Sequence, residues 1–103
     1  MFTPRYQNEQ TDRLIQALLS LETPEEAYRF LEDVLTIQEL KSITQRLEVA
    51  VMLRGKETYQ EIVRQTGAST TTIGRVNRTL QYGADGYSLV LDRLTDSNEA
   101  QQK

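Results

Sequence analysis

Residues 58–80 read TYQEIVRQTGASTTTIGRVNRTL, and the reading of this stretch decides the fold. The chain carries 15 acidic and 12 basic residues, yet no carboxylate lies between Glu61 and Asp85. Arg64, Arg75 and Arg78 fall inside that gap, and Ser69 to Thr72 are consecutive hydroxyl residues. Ile62 and Val63 give a short apolar patch. Ile73, Val76 and Leu80 recur at i, i+3 and i+7, the spacing of one helix face. Gly67 stands between the two segments, where a sharp turn is needed. The pattern predicts a helix-turn-helix: a short helix at about 59–66, then a second at about 70–82, with Ser69 as its N-cap.

Successive residues of a helix are separated by about 100°. With Ile73 at the centre of the buried face, Thr71, Arg75, Arg78 and Tyr82 fall on the opposite side, and Gly74 on the flank. That face is basic, rich in hydroxyls and free of carboxylates. It suits a polyanion, although the net charge of the chain is −3. Modules of this kind place the N-terminal part of the second helix in the major groove of DNA. Arginine pairs with phosphate or reads guanine; threonine touches phosphate, base edge or thymine methyl. Free amides at a helix start also meet phosphate. The candidate DNA-binding residues are Thr58 and Gln60 at the start of the first helix, and Ser69, Thr70, Thr71, Gly74, Arg75 and Arg78 around the second. Ile62, Gly67, Ile73 and Val76 have structural roles. Helix-turn-helix geometry also serves modules that bind only protein, so a protein-interaction module is the alternative.

Outward from this segment the chain is all-α. Thr23, Thr36 and Thr58 are each followed three residues later by Glu26, Glu39 and Glu61, the pattern of a capping box. Gly55, Gly67 and Gly83 stand where helices should stop, as left-handed residues. The expected helices are about 8–21, 24–34, 37–54, 59–66, 70–82 and 87–94, with a flexible polar tail at about 95–103, all in one domain of 103 residues. Leu14, Ile15, Leu18 and Leu19 form the inward stripe of the first helix. Ala27, Tyr28, Leu31, Val34 and Leu35 form that of the second. Tyr87, Val90, Leu91 and Leu94 do so in the sixth. In the third helix Leu40, Ile43, Leu47 and Ala50 point inward, but Val49, Val51, Met52 and Leu53 make its last turns apolar nearly all round. Such a helix is covered on every side, either at the centre of a bundle or by a second subunit.

Composition narrows the function. The chain has no Cys and no His. A disulfide framework, a thiolate metal site and the commonest general base are therefore absent. No enzymatic activity, metal or cofactor is expected. The first ten residues, MFTPRYQNEQ, hold no apolar run of a secretory signal. No segment approaches the ~20 apolar residues of a membrane span. A soluble cytoplasmic protein is expected, without a membrane partner.

The run RLEVAVMLRGKETYQEIVRQTGASTTTIGRVNRTLQYG, residues 46–83, resembles the YerC/YecD group of the Trp repressor-like family, most specifically in TGASTTTIGRVNR. More loosely, the resemblance extends from about Thr11 to Leu94. It implies a six-helix Trp repressor-like fold, an intertwined homodimer, and a transcriptional regulator, a repressor, acting on double-stranded DNA at an inverted-repeat operator. Family members that bind tryptophan hold it between two arginines beside a glycine. Arg75 and Arg46 resemble those arginines, although the segment from Arg46 to Gly55 is one residue shorter here. The position of the glycine is taken by Val76, so no tryptophan binding is expected. Where the family uses an arginine to read guanine, this chain has Gln60, which implies a different operator.

Overall fold

Thr36 opens a helix with a complete capping box. Its hydroxyl accepts from the Glu39 amide at 3.1 Å, and the Glu39 carboxylate accepts from the Thr36 amide at 2.9 Å. These two bonds hold the Glu39 carboxyl below its ordinary value, the bond to the Thr36 backbone contributing most. At Thr23 and Thr58 only half of the box forms. Both hydroxyls accept from the amide three residues on. Glu26, however, accepts from the Glu22 amide, and Glu61 turns to Arg64 and Gln65.

The computed structural model describes residues 2–102, with side chains described for residues 2–95. The described residues form six helices: α1 Glu9–Leu19, α2 Pro24–Val34, α3 Ile37–Arg54, α4 Tyr59–Thr66, α5 Thr70–Tyr82 and α6 Gly86–Gln102. Helices α2 to α5 begin and end where periodicity and caps placed them. Helix α1 is shorter at both ends. Asn8 caps its start by accepting from the Thr11 amide at 2.8 Å, and the Ser20 hydroxyl donates back to the Ala17 carbonyl at 2.7 Å. Helix α6 is longer than expected, its backbone remaining helical through Gln102 where a polar tail was expected. No Gly or Pro follows Gly86, and Glu, Ala and Gln are good helix formers.

Of the three glycines expected to be left-handed, only Gly67 is, with φ 73°. After α3 the left-handed residue is Lys56, one position later, and the Glu57 amide closes the turn on the Met52 carbonyl at 3.1 Å. Before α6 it is Asp85, a residue type that tolerates this region. Gly83 is needed for another reason. A Cβ there would lie 2.5 Å from the Thr79 carbonyl oxygen, which already accepts from the Gly83 amide at 2.8 Å.

The chain groups into two compact units, Met1–Leu40 and Lys41–Lys103. In the first, neither α1 nor α2 has a buried residue. Leu14, Ile15, Leu18 and Leu19, expected inward, are exposed, as are Tyr28 and Val34. Ala27, Leu31 and Leu35 of the second stripe are half-buried, so within this unit the stripes are at most partly covered among the described residues. The second unit contains the core: Val49, Ala50 and Met52 of α3, Ile62 of α4, Ala68 of the turn, Ile73 and Val76 of α5, and Leu91 of α6. Leu53, Leu80 and Tyr87 pack against it. At its edge, Arg54 donates to Asp92 at 2.6 Å and to the Ser88 carbonyl at 3.4 Å, fastening the end of α3 to α6.

The reading of α3 needs correction. Val49 and Met52 face this chain's own core and Leu53 packs against it, whereas Ile43 and Leu47 are exposed. The uncovered apolar line of α3 is therefore Ile43, Leu47 and Val51, at i, i+4 and i+8. A continuously apolar sequence reveals that cover is wanted on several sides, not which side the chain itself covers.

Candidate nucleic-acid interface

Three features hold α4 and α5 at a fixed angle. Ile62 and Ile73 are fully buried against each other's helices, and Ala68 in the turn is 1% exposed. Gly67 closes α4, its amide donating to the Val63 carbonyl at 2.9 Å. The Thr66 hydroxyl donates to the Ile62 carbonyl at 2.7 Å and accepts from the Ala68 amide at 3.1 Å. Two longer-range bonds brace this motif. Gln45 of α3 donates to the Thr66 carbonyl at 3.2 Å, and Asn77 of α5 donates to the Tyr59 hydroxyl at 3.3 Å. Gln45, Tyr59, Thr66 and Asn77 were not among the sequence candidates. Thr66 had a local signal, a hydroxyl beside the turn glycine; the others had none.

Helix α5 separates its two faces cleanly. Ile73 and Val76 are buried, while Thr71, Arg75, Arg78 and Tyr82 are exposed. Gly74 is half-buried on the flank, and a Cβ there would meet nothing within 4 Å. Among the described residues Arg75 and Arg78 form no ion pair, so both guanidiniums are available to an anion. Arg64, although inside the carboxylate-free stretch, is not free in the same way. The preceding turn supplies a carboxylate: Arg64 pairs with Glu61, its Nε at 3.0 Å. Gln65 adds a bond to Glu61 at 2.6 Å. The Arg64 and Gln65 bonds hold the Glu61 carboxyl below its ordinary value, and Glu61 in turn raises that of Arg64.

The other candidates divide by what their side chains already do. Thr58 caps α4 and Ser69 caps α5, the latter accepting from the Thr72 amide at 3.1 Å. Gln60 and Thr70 are exposed beside these caps, at the starts of the two helices. The caps satisfy one amide each; the remaining free amides of the first turn of α5 point outward from its start. Thr70, Thr71, Arg75 and Arg78 therefore lie on one helix, and Thr58 and Gln60 on another. Arg46 and Arg75 both line a cleft of about 440 Å³, together with Ser42, Gln45, Thr72 and Thr79. Val76 closes one wall of that cleft and is itself 3% exposed, its side chain committed to the core.

Among the described residues no helix is long and apolar enough to cross a membrane, and no three acidic side chains are grouped to hold a metal ion. Residues 9–95 match the profile of the Trp repressor protein family. A relative from Bacillus subtilis (strain 168), the uncharacterized protein YerC, is 48% identical over 93 residues, covering 90% of this chain and 89% of that one. The crystal structure of a TrpR-like protein from Eubacterium eligens ATCC 27750 superposes with a TM-score of 0.83 at 55% identity, over 85% of this chain and 91% of that one. With the match spanning all of α1 to α5 and an all-helical fold shared with a solved relative, the chain belongs to the Trp repressor protein family, a family of DNA-binding regulators, and within it to the group of YerC.

Proposed function

We propose that this protein is a homodimeric, sequence-specific transcriptional repressor that reads an inverted-repeat operator in double-stranded DNA through α5. The observation that carries this reading is the line Thr71, Arg75 and Arg78: exposed, without an acidic neighbour on its helix, and held by buried Ile73 and Val76. Arg75 and Arg78 supply charge for phosphate or guanine, and Thr70 and Thr71 reach base edges from the start of the helix. Gly74 lets the DNA approach the flank of α5. From α4, Thr58 contacts the backbone and Gln60 a base edge. Few side chains on this face are long, so bridging water and DNA shape carry part of the specificity.

The homodimer is supported by uncovered apolar surface in both units. Neither α1 nor α2 buries a side chain. In the second unit Ile43, Leu47, Tyr87 and Val90 line an open groove of about 480 Å³. A second copy brings matching surfaces of the same kind, and two-fold pairing is the commonest closed arrangement. Two recognition helices on one face of a duplex require half-sites about one helical turn apart, ~34 Å. Occupancy of such a site blocks transcription by exclusion. Tryptophan is not the effector, because Val76 fills the position next to Arg75 that an indole ring would need.

Selection of bound sequences from a random duplex library tests the reading. The expected result is an inverted repeat whose binding is abolished by a 5-bp insertion between the half-sites and weakens steeply with salt. No enrichment, or association only with protein and indifferent to salt, would favour the protein-interaction alternative instead.

A further inference from the structure

We infer that Tyr82 is a further contact of the DNA-facing surface, made to the sugar–phosphate backbone rather than to a base. The inference rests on the DNA-binding reading above and adds a residue to it. Tyr82 is 80% exposed, far more than any other large apolar or aromatic side chain of the second unit. It is not isolated. Thr71, Arg75, Arg78 and Tyr82 are spaced by 4, 3 and 4 residues, so they follow one line along α5. From Thr71 to Tyr82 that line is about 16 Å long at 1.5 Å per residue. The major groove is about 12 Å wide and 8.5 Å deep. When the start of α5 is at the groove floor, the Tyr82 end lies beyond the base edges, at the level of the phosphates.

The geometry of the helix end supports a built position. The Gly83 amide bonds the Thr79 carbonyl at 2.8 Å, which closes the last turn around Tyr82. The chain then leaves at Gly83, where a Cβ would strike the Thr79 carbonyl at 2.5 Å. Tyr82 is thus the last residue whose direction is set by α5, in a turn closed by the Gly83–Thr79 bond. A phenol suits the backbone chemically: the O–H donates to a phosphate oxygen, and the ring packs on sugar carbons. Because it is neutral, it adds affinity without releasing a counterion. That separates it from Arg75 and Arg78, whose contribution is salt-dependent.

The test compares wild type, Tyr82→Ala and Tyr82→Phe on a duplex that wild type selects from random sequence, and on a mixed-sequence duplex of the same length, across a salt series. Folding of each variant is checked by thermal melting, which an exposed side chain should leave unchanged. Tyr82→Ala is expected to weaken binding about tenfold on both duplexes, the scale of a hydrogen bond to a charged group, with an unchanged salt slope. Tyr82→Phe is expected to weaken both to a lesser degree. Wild-type affinity in the Ala variant overturns the inference while leaving the DNA reading intact. Loss confined to the selected duplex overturns it in favour of base recognition. If wild type selects no duplex at all, the DNA-binding reading falls and the inference with it.

Discussion

Gly74 and Gly83 lie within nine positions of each other at α5, and alanine at the two should act in opposite directions. At Gly83 the added Cβ would sit 2.5 Å from the Thr79 carbonyl oxygen and 2.8 Å from the Thr79 methyl group. The carbonyl cannot withdraw freely, since it accepts the Gly83 amide that ends the helix. Relief therefore loses that bond, about 1 kcal/mol, or strains the packed turn by about 1–3 kcal/mol. The expected destabilisation is about 1–3 kcal/mol, a fall in Tm of at least about 4 °C for a domain this size. At Gly74 nothing lies within 4 Å of the added Cβ, and the site is inside a helix. Alanine there gains about 1 kcal/mol of helix propensity and raises Tm by about 4–8 °C. The assay is thermal melting followed by circular dichroism, at one protein concentration, because association makes Tm concentration-dependent. A Gly83→Ala protein melting within two or three degrees of wild type, as about 0.5 kcal/mol would give, would refute the steric argument. DNA affinity adds a second axis: Gly74→Ala should bind more weakly despite its greater stability, because the methyl group projects from the DNA-facing flank.

Arg78→Ala should reduce affinity about equally on all duplexes and flatten the salt slope by roughly one unit, with Tm unchanged; electrophoretic or fluorescence titration at several salt concentrations checks it. Leu47→Glu should place a carboxylate on the uncovered line of α3 without touching the buried core; sedimentation is expected to give the mass of one chain, and a wild-type protein that already sediments as one chain would remove the homodimer. Calorimetry with tryptophan should give no saturable heat, and stoichiometric binding would show that Val76 leaves room for the ring. Glu61 is held below its ordinary value of 4.5, chiefly by Arg64, so its contribution to stability is present above that value and disappears as pH falls through the folded value. The Tm difference between wild type and Glu61→Gln should therefore close as the solution is acidified below about 4.5; a gap that stays constant to strongly acidic pH would deny the Arg64 and Gln65 bonds their role.

Local chemistry was the part of this fold that sequence made legible. Thr23, Thr36, Thr58 and Ser69 each cap the helix that follows, because a hydroxyl bonding an amide three residues on needs no tertiary partner. The split of α5 into a buried Ile73–Val76 side and an exposed Thr71–Arg75–Arg78 side followed from helix geometry alone. What stayed hidden depends on distance along the chain. Tyr59 and Asn77 are 18 residues apart, Gln45 and Thr66 are 21, and Arg54 and Asp92 are 38. No periodicity records such pairs. Choices between competing partners were also invisible: Glu61 has the spacing of a capping-box residue, yet two donors of its own helix, Arg64 and Gln65, engage it instead.

The exposed apolar side chains of α1 and α2 have a consequence for motion. Helices α1 and α2 are 11 residues each, below the ~12–15 residues at which isolated helices become even marginal in water. Their caps slow fraying but add only about 1 kcal/mol apiece. Wherever no second copy lies on them, their amides should therefore exchange with solvent deuterium far faster than those of Val49, Ile62 or Ile73, opening by local excursions rather than by global unfolding. Whatever surface comes to lie on Leu14, Ile15 and Leu18 sets the lifetime of these helices, so their exchange rates are a direct gauge of how firmly that surface is held.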